Sequence, residues 1–148
     1  MATENLSFGE KLNNPFNLRT GCEWVGLTGE SRGFCSFDSM KNGIRAAFIT
    51  LRTYYQVHGL RTIRSIITRW APATENNTEG YIYKVAKRLG KQPDKTLNFE
   101  TSDDLPNLME VIYEVETGHK ASCETLEMFL DLWTLHLKSA FWKRHEGR

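Results

Sequence analysis

The sequence predicts a mainly helical α+β domain, with five or so helices and one small β-hairpin near the N-terminus. Apolar residues recur at helical spacing over 40–55 and again in four later stretches, which is the pattern of helices that bury one face. Earlier in the chain, the short aromatic-bearing segments 24–27 and 34–37 enclose the polar stretch 29–33, which begins and ends with glycine. This arrangement is typical of a hairpin with a polar loop.

The predicted elements belong to one domain, 1–148, because 148 residues with 40% hydrophobic residues suffice for a single core. Residues 1–20 are rich in Asn, Gly and Pro and are predicted to form an irregular lead-in, whereas 143–148 form a polar tail. Each helix has a capping residue at its start, and the first four have a glycine or proline at their end. The pairs are Asp38 or Ser39 with Gly59, Thr62 with Pro72, Asn77 or Thr78 with Gly90, and Ser102 or Asp103 with Gly118, while Ser122 starts the last helix.

The last predicted helix is unusual in its composition. Residues 124–137 are apolar on nearly every side of a helix. A helix of this kind is buried on more than one side or is covered by a partner. The sequence therefore leaves open a protein partner that binds through the C-terminal helix.

Composition and charge exclude several classes of function. A net charge of +1 with 25% charged residues gives no electrostatic drive toward nucleic acid or an acidic membrane. The three cysteines cannot all pair within one chain, and we interpret them as reduced thiols. No metal and no cofactor are expected, because Cys-x-x-Cys pairs and glycine-rich phosphate loops are missing and the four histidines are scattered. With neither a signal-peptide pattern nor a long apolar stretch, the sequence predicts cytoplasmic synthesis.

Short motifs follow one another in a distinctive order in the first 90 residues. Asn-Asn-Pro-Phe-Asn-Leu-Arg spans 13–19, Trp-Val-Gly spans 24–26, and Phe-Cys-Ser-Phe spans 34–37. Gly-Ile-Arg-Ala follows at 43–46, and Trp-Ala-Pro-Ala-Thr-Glu-Asn-Asn-Thr at 70–78. Together they resemble a phage-associated family of the lysozyme-like superfamily, whose members carry an Asn-Asn-Pro-Gly-Asn-Ile-Arg segment and are often labelled virion structural proteins. The chain is also distantly similar to autolysin-type glucosaminidases.

The resemblance implies a lysozyme-like fold, in which a helical lobe and a small β-lobe flank a cleft, and peptidoglycan glycan strands as the substrate. It implies that Asn14, Asn17 and Arg19 lie beside the substrate groove. Trp24, in the hairpin, is the preferred platform for stacking on a sugar ring. Trp70 is a second aromatic candidate, although an aromatic residue at helical spacing is more often part of the core.

The catalytic residues are harder to assign. Glycoside cleavage uses a carboxylic acid to protonate the leaving oxygen, usually beside a second carboxylate. The similar glucosaminidases carry this acid at the end of a helix upstream of the Asn-rich segment, but here only Glu4 and Glu10 precede Asn13 and neither matches. Two candidates remain: Glu75, between the second and third predicted helices, and Glu30, in the predicted hairpin loop. Their alternative interpretations are a charge that favours a helix N-terminus and a solvated loop charge.

Two other positions bear on the resemblance. Phe16 stands where the phage family has a glycine, which is a departure in backbone freedom. Glu116-Thr117-Gly118 resembles a Glu-Asn-Gly that follows the fourth helix in that family, and we interpret it as helix termination because glycine suits the position after a helix.

Two functional hypotheses follow. The first is a peptidoglycan-directed protein of phage or prophage origin that cleaves β-1,4 glycosidic bonds, as a glycoside hydrolase or a lytic transglycosylase. The alternative is a non-catalytic virion or interaction protein that uses the same fold to bind the cell wall or a protein partner. In both cases we expect action at the bacterial cell wall or in a virion, with neither nucleic acid nor a membrane as partner.

Overall fold

The computed structural model describes the backbone of residues 5–146 and the side chains of residues 5–137. In this part of the chain it contains six helices and one two-stranded antiparallel sheet. The predicted class, mainly helical with a small hairpin near the N-terminus, is confirmed. The elements are α1 (Phe8–Lys11), β1 (Leu27–Ser31), β2 (Phe34–Phe37), α2 (Met40–Gln56), α3 (Ile63–Trp70), α4 (Thr78–Leu89), α5 (Asp104–Thr117) and α6 (Cys123–Glu146).

Local capping explains why the helices begin and end where the sequence predicts. The side chains of Ser39, Thr62 and Asn77 each accept a hydrogen bond from the backbone N–H three residues further on, at the starts of α2, α3 and α4. Gly90 and Gly118 follow α4 and α5 in the left-handed conformation, with φ of 66° and 78°. These contacts lie within single turns, which is why a linear sequence predicts them.

The hairpin is tighter than the sequence predicts. A loop is expected over 29–33, but β1 continues to Ser31 and only Arg32 and Gly33 form the turn. Both turn residues have positive φ, 55° and 84°, which matches the twist of two paired strands. Glu30 therefore lies within β1, opposite Cys35 of β2, and its expected position in a loop is wrong.

The N-terminal segment contains one turn of helix in the region predicted to be irregular. Ser7 and Glu10 form a reciprocal capping box around α1. The Asn-rich segment that follows packs closely on α2, because a Cβ atom at Gly43 would collide with the carbonyl group of Asn13. This close approach explains the glycine in the Gly-Ile-Arg-Ala motif.

The C-terminal helix packs against α2 and α5. Phe129 of α6 is buried, whereas Leu130 and Leu135 are 48% and 62% exposed. In the predicted polar tail, α6 continues to Glu146, and residues 147–148 lie outside the described residues. Within the described residues, we find no helix with the length and hydrophobicity needed to span a membrane.

Candidate functional site

A groove of about 380 Å³ lies between the Asn-rich segment and the carboxyl ends of α3 and α5. Its size falls within the range of roughly 300–1,000 Å³ that is typical of small-molecule sites. Two arginines and two glutamates supply its charged groups. The lining consists of residues 16–19, 69–72 and 75–76, together with Phe34, Thr50, Tyr54 and Glu116.

The Asn-rich wall of the groove is held from beneath by Asn14. The Asn14 side chain is fully buried; its Nδ2 donates to the carbonyl oxygens of Leu18 (3.0 Å) and Cys35 (2.9 Å). Its Oδ1 accepts from the Leu18 N–H at 2.9 Å. Asn17, three residues on, has a left-handed φ of 55° and directs its side chain toward the end of α5. The same segment thus contributes one asparagine to the core and one to the groove.

Glu116, in the last turn of α5, is the most connected side chain of the groove. Its Oε1 accepts from Asn17 Nδ2 at 2.8 Å. Its Oε2 accepts from the Tyr81 hydroxyl at 2.7 Å and from Trp70 Nε1 at 3.3 Å. All three partners are donors, which suits a carboxylate because both of its oxygens act as acceptors. One carboxylate therefore joins the Asn-rich segment, α3, α4 and α5.

The Tyr81 hydroxyl is a dependable donor in this cluster. Burial raises its pKa far above the ordinary tyrosine value, and the negative charge of Glu116 raises it further. Tyr81 consequently remains neutral and keeps its proton for the hydrogen bond. The three hydrogen bonds to Glu116 offset the unfavourable interaction between its carboxylate and the negative end of the α5 dipole.

A second carboxylate, Glu75, occupies the rim of the groove. Its Oε1 lies 2.6 Å from Nη2 of Arg19, and the two side chains are 49% and 59% exposed. The Arg19 guanidinium also lies over the ring of Phe34, with Cζ 4.6 Å from the ring centroid. Glu75 is therefore accessible to solvent, while Glu116 is held among protein donors.

The structure brings together four of the residues predicted from sequence. Asn17, Arg19, Trp70 and Glu75 all line the groove, although they come from two segments more than 50 residues apart. Trp70 is partly buried and packs edge-on against Phe16, so it has a core contact as well as a place in the groove. Their roles in binding or catalysis stay predictions.

Three predicted site residues lie elsewhere. Asn14 is fully buried, with its amide bonded to backbone groups, so it supports the groove wall from beneath and does not line the groove. Trp24 precedes β1 and packs partly against the core. Glu30 is exposed on β1. Neither Trp24 nor Glu30 lines the groove.

Glu10, which matched no catalytic position in the sequence comparison, is buried in the structure. It is 9% exposed, accepts from the Ser7 N–H at 2.9 Å and from the Tyr113 hydroxyl at 3.3 Å, and lies 3.4 Å from His119 Nε2. It does not line the groove. The contact between Glu10 and Tyr113 links the N-terminal turn to α5.

Sequence analysis did not identify Glu116 as a groove residue. The signal was its match to the Glu-Asn-Gly of the phage family, but helix termination by Gly118 accounted for that pattern on its own.

Phe16 has a core role that a glycine would not supply. It is 1% exposed and contacts the rings of Trp70, Tyr113 and Phe129.

The groove contains no evident metal site. Among the described side chains there is no group of three or more His, Cys, Asp or Glu residues that would hold a metal ion. The chemistry available in the groove is that of carboxylates, guanidinium groups, amides and aromatic rings.

No family model matches the chain. It is 37% identical to Protein P5 of the Pseudoalteromonas phage PM2 over 116 residues, which cover 74% of this chain and 71% of that protein. The chain belongs to the family of this phage protein. Membership of the P5 family supports the predicted phage origin, and the lysozyme-like resemblance stays a prediction.

Proposed function

We propose that this chain is a phage-encoded enzyme that binds the glycan strands of bacterial peptidoglycan and cleaves their β-1,4 glycosidic bonds. The observation that carries the proposal is the presence of two carboxylates, Glu75 and Glu116, in the lining of one groove. Most glycosidases use two carboxyl groups that flank the bond to be broken. Similarity to Protein P5 of phage PM2 supports the phage origin.

Glu75 acts as the proton donor in this proposal. In the free protein Glu75 is paired with Arg19, and this ion pair has to open before Glu75 can reach the bridging oxygen. A bound strand replaces this contact by taking the Arg19 donors for its own hydroxyl or acetamido oxygens. The exchange costs little, because an exposed ion pair of this kind contributes only about 0–1 kcal/mol.

Glu116 acts as the fixed negative charge beside the anomeric carbon. The transition state of glycoside cleavage has oxocarbenium character, so positive charge develops on the sugar ring. Because Asn17, Trp70 and Tyr81 hold the carboxylate, it needs no reorganisation when that charge appears. Sequence analysis named Glu30 as the alternative to Glu75 for the acid, but Glu30 is exposed on the hairpin and does not line the groove, so this proposal assigns it no role.

The reaction breaks the bond between C1 and the bridging oxygen. After its release from Arg19, Glu75 takes a proton from solvent and gives it to the bridging oxygen, and C1 then accepts a nucleophile that returns a proton to Glu75. Water as the nucleophile gives a reducing end, as in a glycoside hydrolase. The C6 hydroxyl of the same sugar gives a 1,6-anhydro end, as in a lytic transglycosylase.

The test is to incubate the purified protein with peptidoglycan and to identify soluble products by mass spectrometry. We expect muropeptides from the wild type, and strongly reduced release from Glu75→Gln and from Glu116→Gln. Glu30→Gln is the matched control, because it removes an equal charge outside the groove and should keep full activity. Full activity of both groove variants would remove the proposal.

One observation favours a second candidate, a non-catalytic virion or interaction protein. Leu130 and Leu135 of α6 are large apolar side chains that are 48% and 62% exposed and are therefore accessible to a protein partner. Co-sedimentation of the protein with peptidoglycan, without any released product, would favour this candidate over the enzyme.

A further inference from the structure

Arg69 is the groove arginine that has no carboxylate partner within the described residues. It lies in the last turn of α3 and is exposed, and it lines the groove. The other groove arginine, Arg19, is paired with Glu75. Arg69 instead lies over the ring of Tyr54 from α2, with its Cζ 5.5 Å from the ring centroid.

The Tyr54 ring gives Arg69 a defined place at the groove edge. Tyr54 is partly buried, and burial raises the pKa of its hydroxyl while the nearby positive charge of Arg69 lowers it. The ring therefore stays neutral and offers its face to the guanidinium. A guanidinium has five N–H donors in a planar fork, and a planar anion forms paired hydrogen bonds with those that no carboxylate occupies.

We propose that Arg69, held over the ring of Tyr54, is an anion subsite that makes the groove prefer glycan strands whose sugars carry a carboxylate. This inference rests on the proposed function, since it names the substrate feature that the same groove would recognise. A carboxylate reaches a peptidoglycan strand in two ways, as the lactyl group of a sugar without a peptide stem or on the stem itself. A chitin strand has the same β-1,4 linkage and neither group.

The experiment compares binding of four defined glycans by calorimetry. They are stem-free peptidoglycan strands with a free lactyl carboxylate, the same strands with that carboxylate converted to a methylamide, stem-bearing strands, and chito-oligosaccharides. We expect the wild type to bind the carboxylated strands about tenfold more tightly than the methylamide and chitin strands, a factor that corresponds to about 1.4 kcal/mol. Preference for stem-free or stem-bearing strands identifies which carboxylate is bound.

Variants separate the anion subsite from general loss of affinity. Arg69→Gln should lower affinity for carboxylated strands about tenfold and leave methylamide and chitin binding unchanged, since one charge-assisted contact is lost. Arg69→Lys should recover part of the loss because it restores the charge without the planar fork. Arg61→Gln is the matched control, because Arg61 also lies over a tyrosine ring, with its Cζ 4.4 Å from the ring centroid of Tyr55, but does not line the groove.

The outcomes are distinguishable from those that test the enzyme. Equal binding of carboxylated and neutral strands by the wild type, or equal weakening of both by Arg69→Gln, overturns the anion subsite even if the strands are cleaved. Preference for carboxylated strands that depends on Arg69 supports the subsite even if no strand is cleaved, in which case the proposed function alone fails.

Discussion

Two glutamates of the described residues, one buried and one half-buried, accept a hydrogen bond from a tyrosine hydroxyl, yet they lie in different parts of the fold. Glu10 bonds to Tyr113 and to the backbone of Ser7, beside His119 and away from the groove. Glu116 bonds to Tyr81, Trp70 and Asn17 in the lining of the groove. Similar sets of donors therefore hold one carboxylate away from the groove and another in its lining, and only the second is placed for the proposed chemistry.

The largest expected effect is on activity, from Glu116→Gln. The amide has nearly the same shape but lacks the negative charge, and its NH₂ group faces donors. We expect release of peptidoglycan fragments to fall about 100-fold, the lower end of the effect of removing one preorganised electrostatic group. Rates of product release measured by mass spectrometry check this, with circular dichroism to establish that the variant is folded.

Glu10→Gln tests the other half of the comparison. The variant should lose about 1–3 kcal/mol of stability, because buried hydrogen bonds to a charged group are replaced by weaker or unmatched ones. The folded fraction should cleave peptidoglycan at the wild-type rate. Urea unfolding and product release, measured on the same preparation, check both statements; a selective loss of rate in the folded protein would place Glu10 in the reaction.

The pH dependence of stability tests the contact between Tyr113 and Glu10. Burial and the charge of Glu10 raise the pKa of Tyr113 to about 12. Because this value exceeds the ordinary tyrosine pKa of about 10, the unfolded chain loses the proton first and stability falls as the pH rises from about 10 to about 12. Thermal unfolding across this range should show a shallower decline for Tyr113→Phe than for the wild type.

The smallest expected effect is from Arg19→Gln. Its ion pair with Glu75 is exposed on both sides, so stability should change by no more than about 1 kcal/mol. Affinity for glycan strands should fall more clearly than stability, since Arg19 is proposed to transfer its donors to the substrate. Denaturant unfolding and calorimetry with stem-free strands measure the two quantities separately.

The candidate site was predictable where its residues belong to compact motifs. Asn17 and Arg19 lie within seven residues of Asn13, and Trp70 and Glu75 belong to one nine-residue motif. Glu116 was not predictable, because its bond to Asn17 joins positions 99 residues apart and its local pattern is already explained by Gly118. Trp24 and Glu30 do not line the groove, and their positions relative to it depend on how the chain around the hairpin packs, which local patterns do not predict.

The sequence by itself determined the helical class, the hairpin and most of the helix boundaries. Caps such as Ser39, Thr62 and Asn77 act on backbone groups three residues away, so the information is local. Only the tertiary structure decided that Asn14 supports the groove wall while Asn17 faces Glu116, and that Glu75 meets Arg19. These contacts depend on how separate segments pack, because a side chain at a given position finds its partners only when the chain has folded around it.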